Sequence, residues 1–79
     1  MKAAQAREYF ALGLIDGATV RPPSIMHPDG WTVELIGRTG SASPMIETAR
    51  GDVRQWRTLD EVGRTIAEIG LRRWEVRTE

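Results

Sequence analysis

At 79 residues, 41% of them apolar and 28% charged, the chain can build one small core and lacks the composition of a disordered segment. Eleven basic residues offset eleven acidic ones, which argues against a mainly electrostatic grip on nucleic acid or an anionic membrane. The lack of cysteine excludes disulfides, thiolate metal sites and cysteine nucleophiles, and the length predicts a single domain over residues 1–79, which the predicted elements make α+β.

In chain order, residues 2–15 space Ala6, Phe10 and Leu14 four apart, with Ala3 and Gly13 alongside, as one stripe of a helix. Asp16-Gly17 is the expected stop, followed by a short edge strand over residues 18–21 and a break at Pro22-Pro23. Residues 24–30, with Pro28 and Gly30 around Asp29, read as a loop. Trp31, Val33 and Leu35 alternate with Thr32 and Glu34, the period of a strand over residues 31–37 with one buried face.

The glycines Gly37 and Gly40 mark a hairpin loop over residues 38–43, leading to a weaker strand at residues 44–49. Arg50-Gly51-Asp52 is the next turn, and residues 53–57 return as a strand, completing an antiparallel meander. Thr58, followed three residues later by Glu61, has the form of a capping box, and Leu59, Val62, Ile66 and Ile69 form the apolar stripe of a second helix that stops at Gly70. Residues 72–77 close as a strand with Trp74 and Val76 on one face and Arg73, Glu75 and Arg77 on the other. The expected fold is an antiparallel sheet of four to five strands with two helices on one face, in the order α-β-β-β-β-α-β.

Catalytic chemistry finds no foothold in this pattern. His27 is the only histidine, with no second imidazole or thiolate to build a zinc site. Ser24, Ser41 and Ser43 lack the strand–turn–helix context that presents a nucleophile. Asp60 and Glu61 are explained by helix capping, and the glycine-bearing loop at residues 37–43 lacks the lysine of a phosphate-binding loop. The Arg50-Gly51-Asp52 tripeptide is read as a turn, not as an adhesion signal. No enzyme activity, cofactor or metal is expected.

Binding remains, and the candidate surface comprises Arg54, Arg57, Arg73 and Arg77, together with Trp31 and its flanking loops. If Trp74 is buried under the helices, Arg73 and Arg77 project to the open sheet face, where Arg54 or Arg57 joins them according to register. Such a cluster could hold phosphates or acidic protein groups, while the plainer reading pairs it with Glu34, Glu47 and Glu75 as weak surface ion pairs. Trp31, Trp56 and Trp74 are read first as core, each able to bury roughly 150–250 Å²; an exposed one would mark an interface. A protein partner is favoured, nucleic acid stays open, and a homodimer could form through an edge strand, either near Val20 or at the terminal strand. The apolar run at residues 9–15 is too short for a bilayer and residues 2–8 lack the plan of a secretion signal, so a cytoplasmic protein without membrane contact is expected.

Ala6-Arg7-Glu8-Tyr9-Phe10 with Leu14-Ile15-Asp16, Thr48-Ala49-Arg50-Gly51, Trp56-Arg57-Thr58-Leu59-Asp60, Ile69-Gly70-Leu71 and Trp74-Glu75-Val76 together resemble small proteins of bacterial plasmids and integrative elements, often labelled plasmid-replication-associated. The resemblance covers about half of the chain and falls on residues read as caps, turns and core, so it transfers no functional residue. It implies a small binding protein of a mobile genetic element, an accessory regulator of plasmid replication or maintenance acting on protein or DNA. The alternative is an inhibitor of a host defence system, of the anti-CRISPR kind, that blocks an effector complex by surface binding.

Overall fold

The computed structural model describes residues 1–38 and 42–78, the side chains of 42–44 excepted, so the centre of the hairpin loop expected at residues 38–43 lies outside the described residues. The order of elements is α1 (Ala3–Ala11), β1 (Ile15–Arg21), β2 (Thr32–Gly37), β3 (Ala42–Met45), α2 (Leu59–Ile69) and β4 (Trp74–Val76). The result is a mixed α+β domain in which the sheet runs β3-β2-β1-β4.

Three expectations are corrected by this topology. β1 pairs antiparallel with β2 but parallel with β4, so the sheet is mixed. The physical reason is the route of the chain: α2 carries it back over the sheet, and a strand reached through a crossover helix enters in the same direction as its neighbour. Consequently Val20, expected at an edge, lies in an inner strand with β2 on one side and β4 on the other. Residues 53–57, expected as a strand, instead bridge two neighbours, Val53 to Glu47 and Trp56 to Trp31. Because the segment spans from one neighbouring stretch to the next, it never runs far enough along either to build a ladder.

The first helix ends earlier than expected. Leu12 caps it with its N–H on the Glu8 carbonyl, the Gly13 N–H follows on the Phe10 carbonyl, and Gly13 takes a φ of 77°, so the turn falls before Leu14 and leaves that side chain exposed. At the other end the Gln5 side-chain oxygen accepts from the Lys2 N–H at 3.0 Å. Gly17 keeps an extended backbone in β1, just after a bulge at Asp16, and pairs with Ile36. β3 precedes its expected position; Thr48 to Gly51 then forms the turn, closed by the Gly51 N–H on the Thr48 carbonyl at 3.0 Å.

The second helix follows its sequence signals closely. The Thr58 hydroxyl accepts from the Glu61 N–H at 3.2 Å, and Gly70 terminates the helix in the left-handed region at φ 103°. Val62, Thr65, Ile66 and Ile69 face inward, whereas Leu59 at the start of the stripe remains partly in water.

Register defines the two faces of the sheet. Ala18 stands opposite Leu35 and beside Trp74, and Val20 stands opposite Val33 and beside Val76. Ala18, Val20, Val33 and Leu35 join Ala6, Val62, Ile66 and Ile69 of the two helices in one core cluster, so α1 and α2 cover the same face. Burial of an aliphatic side chain such as Leu35 contributes roughly 1.5–3 kcal/mol. Trp56 completes the base of the core at 3% exposure. Its indole N–H donates to the Thr65 hydroxyl at 3.1 Å, and that hydroxyl donates to the Glu61 carbonyl at 3.2 Å.

Candidate functional site

The face away from the helices carries the row Met45–Glu34–Thr19–Glu75 across all the paired strands. Alternation along β4 places Arg73 and Arg77 on this same face as Glu75. Arg77 meets Glu75 directly, with its Nε 3.2 Å from Oε1. Arg73 lines a shallow hollow of 270 Å³ with Gly17, Thr19, Ile36 and Glu75. Two carboxylates, Glu34 and Glu75, flank Thr19, so the arginines of this face sit among acids instead of forming a cationic stripe.

The remaining sequence candidates lie elsewhere. Arg54 donates its backbone N–H to the Ile46 carbonyl, and Ile46 in turn bonds Val33 of β2, which puts Arg54 on the side of the sheet remote from β4. There its guanidinium stacks over Trp56, 4.8 Å from the ring centroid, beside Lys2 and Glu47. Such a contact is worth about 0.5–1 kcal/mol when exposed and holds the side chain to its own fold. Arg57 is exposed immediately before the cap of α2. Trp31 is only partly exposed: it packs on the core and exchanges both backbone hydrogen bonds with Trp56, at 2.8 and 2.9 Å. Gly30 lets these backbones meet, because a Cβ there would lie 2.2 Å from the Trp56 carbonyl oxygen. Arg73 and Arg77 are therefore together, whereas Arg54 is separated from them and Trp31 belongs to the scaffold.

Trp74, expected under the helices, does lie on their side of the sheet beside Ala18, with its ring edge toward Gly63 of α2, but it stays 36% exposed at the border of the sheet. Burial is incomplete because β4 is the outermost strand, with a neighbour on one side only.

A surface the charge pattern did not reveal lies over the other half of the open face. The loop after β1 carries Ile25 at 100% and Met26 at 82% exposure. This loop is tied down at several points. The Ser24 N–H donates to the His27 carbonyl at 3.1 Å, the His27 N–H donates to the Ser24 hydroxyl at 3.3 Å, and the Asp29 N–H donates to the Gln55 side-chain oxygen at 2.9 Å. Beneath it opens a hollow of 480 Å³ bordered by Arg21, Met26, Thr32, Glu34, Met45 and Thr78. The sequence did hold a signal for it: two large apolar residues between Pro22-Pro23 and Pro28, where a solvated loop needs none.

Among the described residues no group of three or more His, Asp or Glu side chains is placed to hold a metal ion, and no helix is long and apolar enough to cross a membrane. No protein-family model matches the chain, and no curated protein or solved structure matches it either.

Proposed function

We propose that this chain acts by binding a protein, as a non-enzymatic accessory regulator of plasmid replication or maintenance on a bacterial mobile element. The observation that supports this reading is the tied loop that holds Ile25 wholly, and Met26 almost wholly, in water, with Met26 at the border of a hollow lined by both apolar and polar residues. A large side chain held in solvent by a braced loop gains its favourable burial only when a partner covers it. A protein fits better than nucleic acid, because Arg73 and Arg77 share their face with Glu34 and Glu75, and the total charge is balanced. Its site of action is the cytoplasm, where replication and partition proteins work. The resemblance of the helix-end and turn segments to plasmid-borne proteins supplies the biological setting.

The test is a copy-number measurement on a minimal replicon of such an element, in cells expressing the wild-type chain or the double variant Ile25→Ser/Met26→Ser. Exposed substitutions of this kind change stability by no more than about 0.5 kcal/mol, so matched thermal unfolding curves separate binding from folding. The expected outcome is a shift in copy number with the wild type that the variant loses. An unchanged copy number, with restored phage plating in a CRISPR-immune strain, would replace this reading with that of a defence inhibitor. Retention of a copy-number effect by the variant would remove the loop as its contact.

A further inference from the structure

The two borders of the sheet are finished differently. At the β3 border the chain start lies alongside: the Met1 ammonium donates to the Met45 carbonyl at 3.1 Å and meets the Glu47 carboxylate at 2.9 Å, and the Glu47 N–H donates to the Met1 carbonyl at 2.7 Å. Among the described residues, nothing pairs with the outer side of β4. The Arg77 N–H donates to the Val20 carbonyl at 2.8 Å. Since successive residues of a strand turn their backbone groups to alternate sides, Arg73, Glu75 and Arg77 address β1, whereas Trp74 and Val76 address the outside. The residues with free backbone groups are thus the same two whose apolar side chains are 36% and 39% exposed.

We infer that β4 pairs antiparallel with β4 of a second copy of this chain, in the register that sets Trp74 opposite Trp74, joining two sheets edge to edge. A two-fold axis through Trp74 makes the two tryptophans a hydrogen-bonded pair, each exchanging its N–H and carbonyl with the other, and brings their half-exposed rings together on the helix side. The same register sets Arg73 opposite the partner's Glu75 and Glu75 opposite the partner's Arg73. These are the non-hydrogen-bonded positions, where opposed Cα atoms approach to about 4.5 Å and side chains interact most closely. Charge selects this register over its neighbour: an axis through Glu75 would set Glu75 against Glu75 and Arg73 against Arg77. Glu75 has two carboxylate oxygens and can keep its own Arg77 while receiving the partner's Arg73. The surface is self-complementary in the sense a closed dimer demands.

Sedimentation velocity of the purified full chain from micromolar to millimolar concentration tests the inference, with Arg73→Glu, Glu75→Arg, the double exchange Arg73→Glu/Glu75→Arg, and Trp74→Ala. All of these positions are exposed, and circular dichroism verifies folding of each. The wild type should dimerise. Each single reversal, counted twice by symmetry, should weaken the dimer by about tenfold or more, and the double exchange should return it to within about threefold of wild type. Trp74→Ala should also weaken it. A strictly monomeric wild type at millimolar concentration would overturn the inference, as would a dimer indifferent to the reversals or not rescued by the exchange. A dimer tightened by Arg73→Glu alone would overturn the register, because only an axis through Glu75 sets that position against an arginine.

Discussion

Thr65 shows how one hydroxyl can join the second helix to the loop segment. Buried in α2, it accepts from the Trp56 indole and donates to the Glu61 carbonyl, so its polar capacity is used in both directions. Thr65→Val keeps the shape and leaves the indole N–H buried without an acceptor, a loss of about 1–3 kcal/mol. Equilibrium urea unfolding should show this as a lower midpoint at unchanged slope. In the background of Trp56→Phe, which has no indole N–H, the same substitution should cost markedly less, and the difference isolates the hydrogen bond. Trp31 illustrates the opposite case: its side chain packs on the core, yet its contribution to topology comes from the backbone it shares with Trp56, which only the absence of a side chain at Gly30 permits.

Elements were legible wherever local chemistry alone decides them. α2 is written in the sequence by Thr58, Glu61, the apolar stripe and Gly70, and the helix forms between those signals. Of the expected capping box only the hydroxyl half is present, the Thr58 oxygen on the Glu61 N–H. Thr58→Ala should therefore destabilise the chain by about 1 kcal/mol, read as a lowered thermal midpoint. β2 was equally plain from its alternation. The end of α1 was less so, because two glycines, Gly13 and Gly17, could each have stopped it; Gly13 did, since Ile15 and the residues after it have strand partners to satisfy. Residues 53–57 sit after a turn as a returning strand would, but pairing is a property of what lies beside them, and they lie across two neighbours. The direction of β4 was not readable for the same reason. The candidate surface suffered most: its arginines were grouped on the assumption that β4 follows a meander, and Arg54 drops out once β1 and β2 stand between. The loop bearing Ile25 and Met26 entered only as a flank of Trp31, and these two side chains were not singled out because a charge-based search passes over apolar residues.

For the whole molecule, the central position of β1 matters more than any single contact, since both sheet partners and α1 meet it. The proposed protein-binding loop leaves β1 at one end, and the proposed dimer edge is the strand beside it, so the two surfaces lie on neighbouring strands of one sheet. The parallel pairing also orders events in time. The β1–β2 ladder closes over a short loop, whereas the β1–β4 ladder closes over more than half of the chain, spending the entropy of that long segment before any of its bonds return stability. β4 should accordingly be the last strand to lock and the first to leave. Stopped-flow kinetics of Val76→Ala, at concentrations where the chain is monomeric, should show faster unfolding with a nearly unchanged refolding rate, whereas Val33→Ala should slow refolding as well. The slow clasp of the sheet is then its last strand, and the lifetime of the native state is set at the border where a second copy would bind.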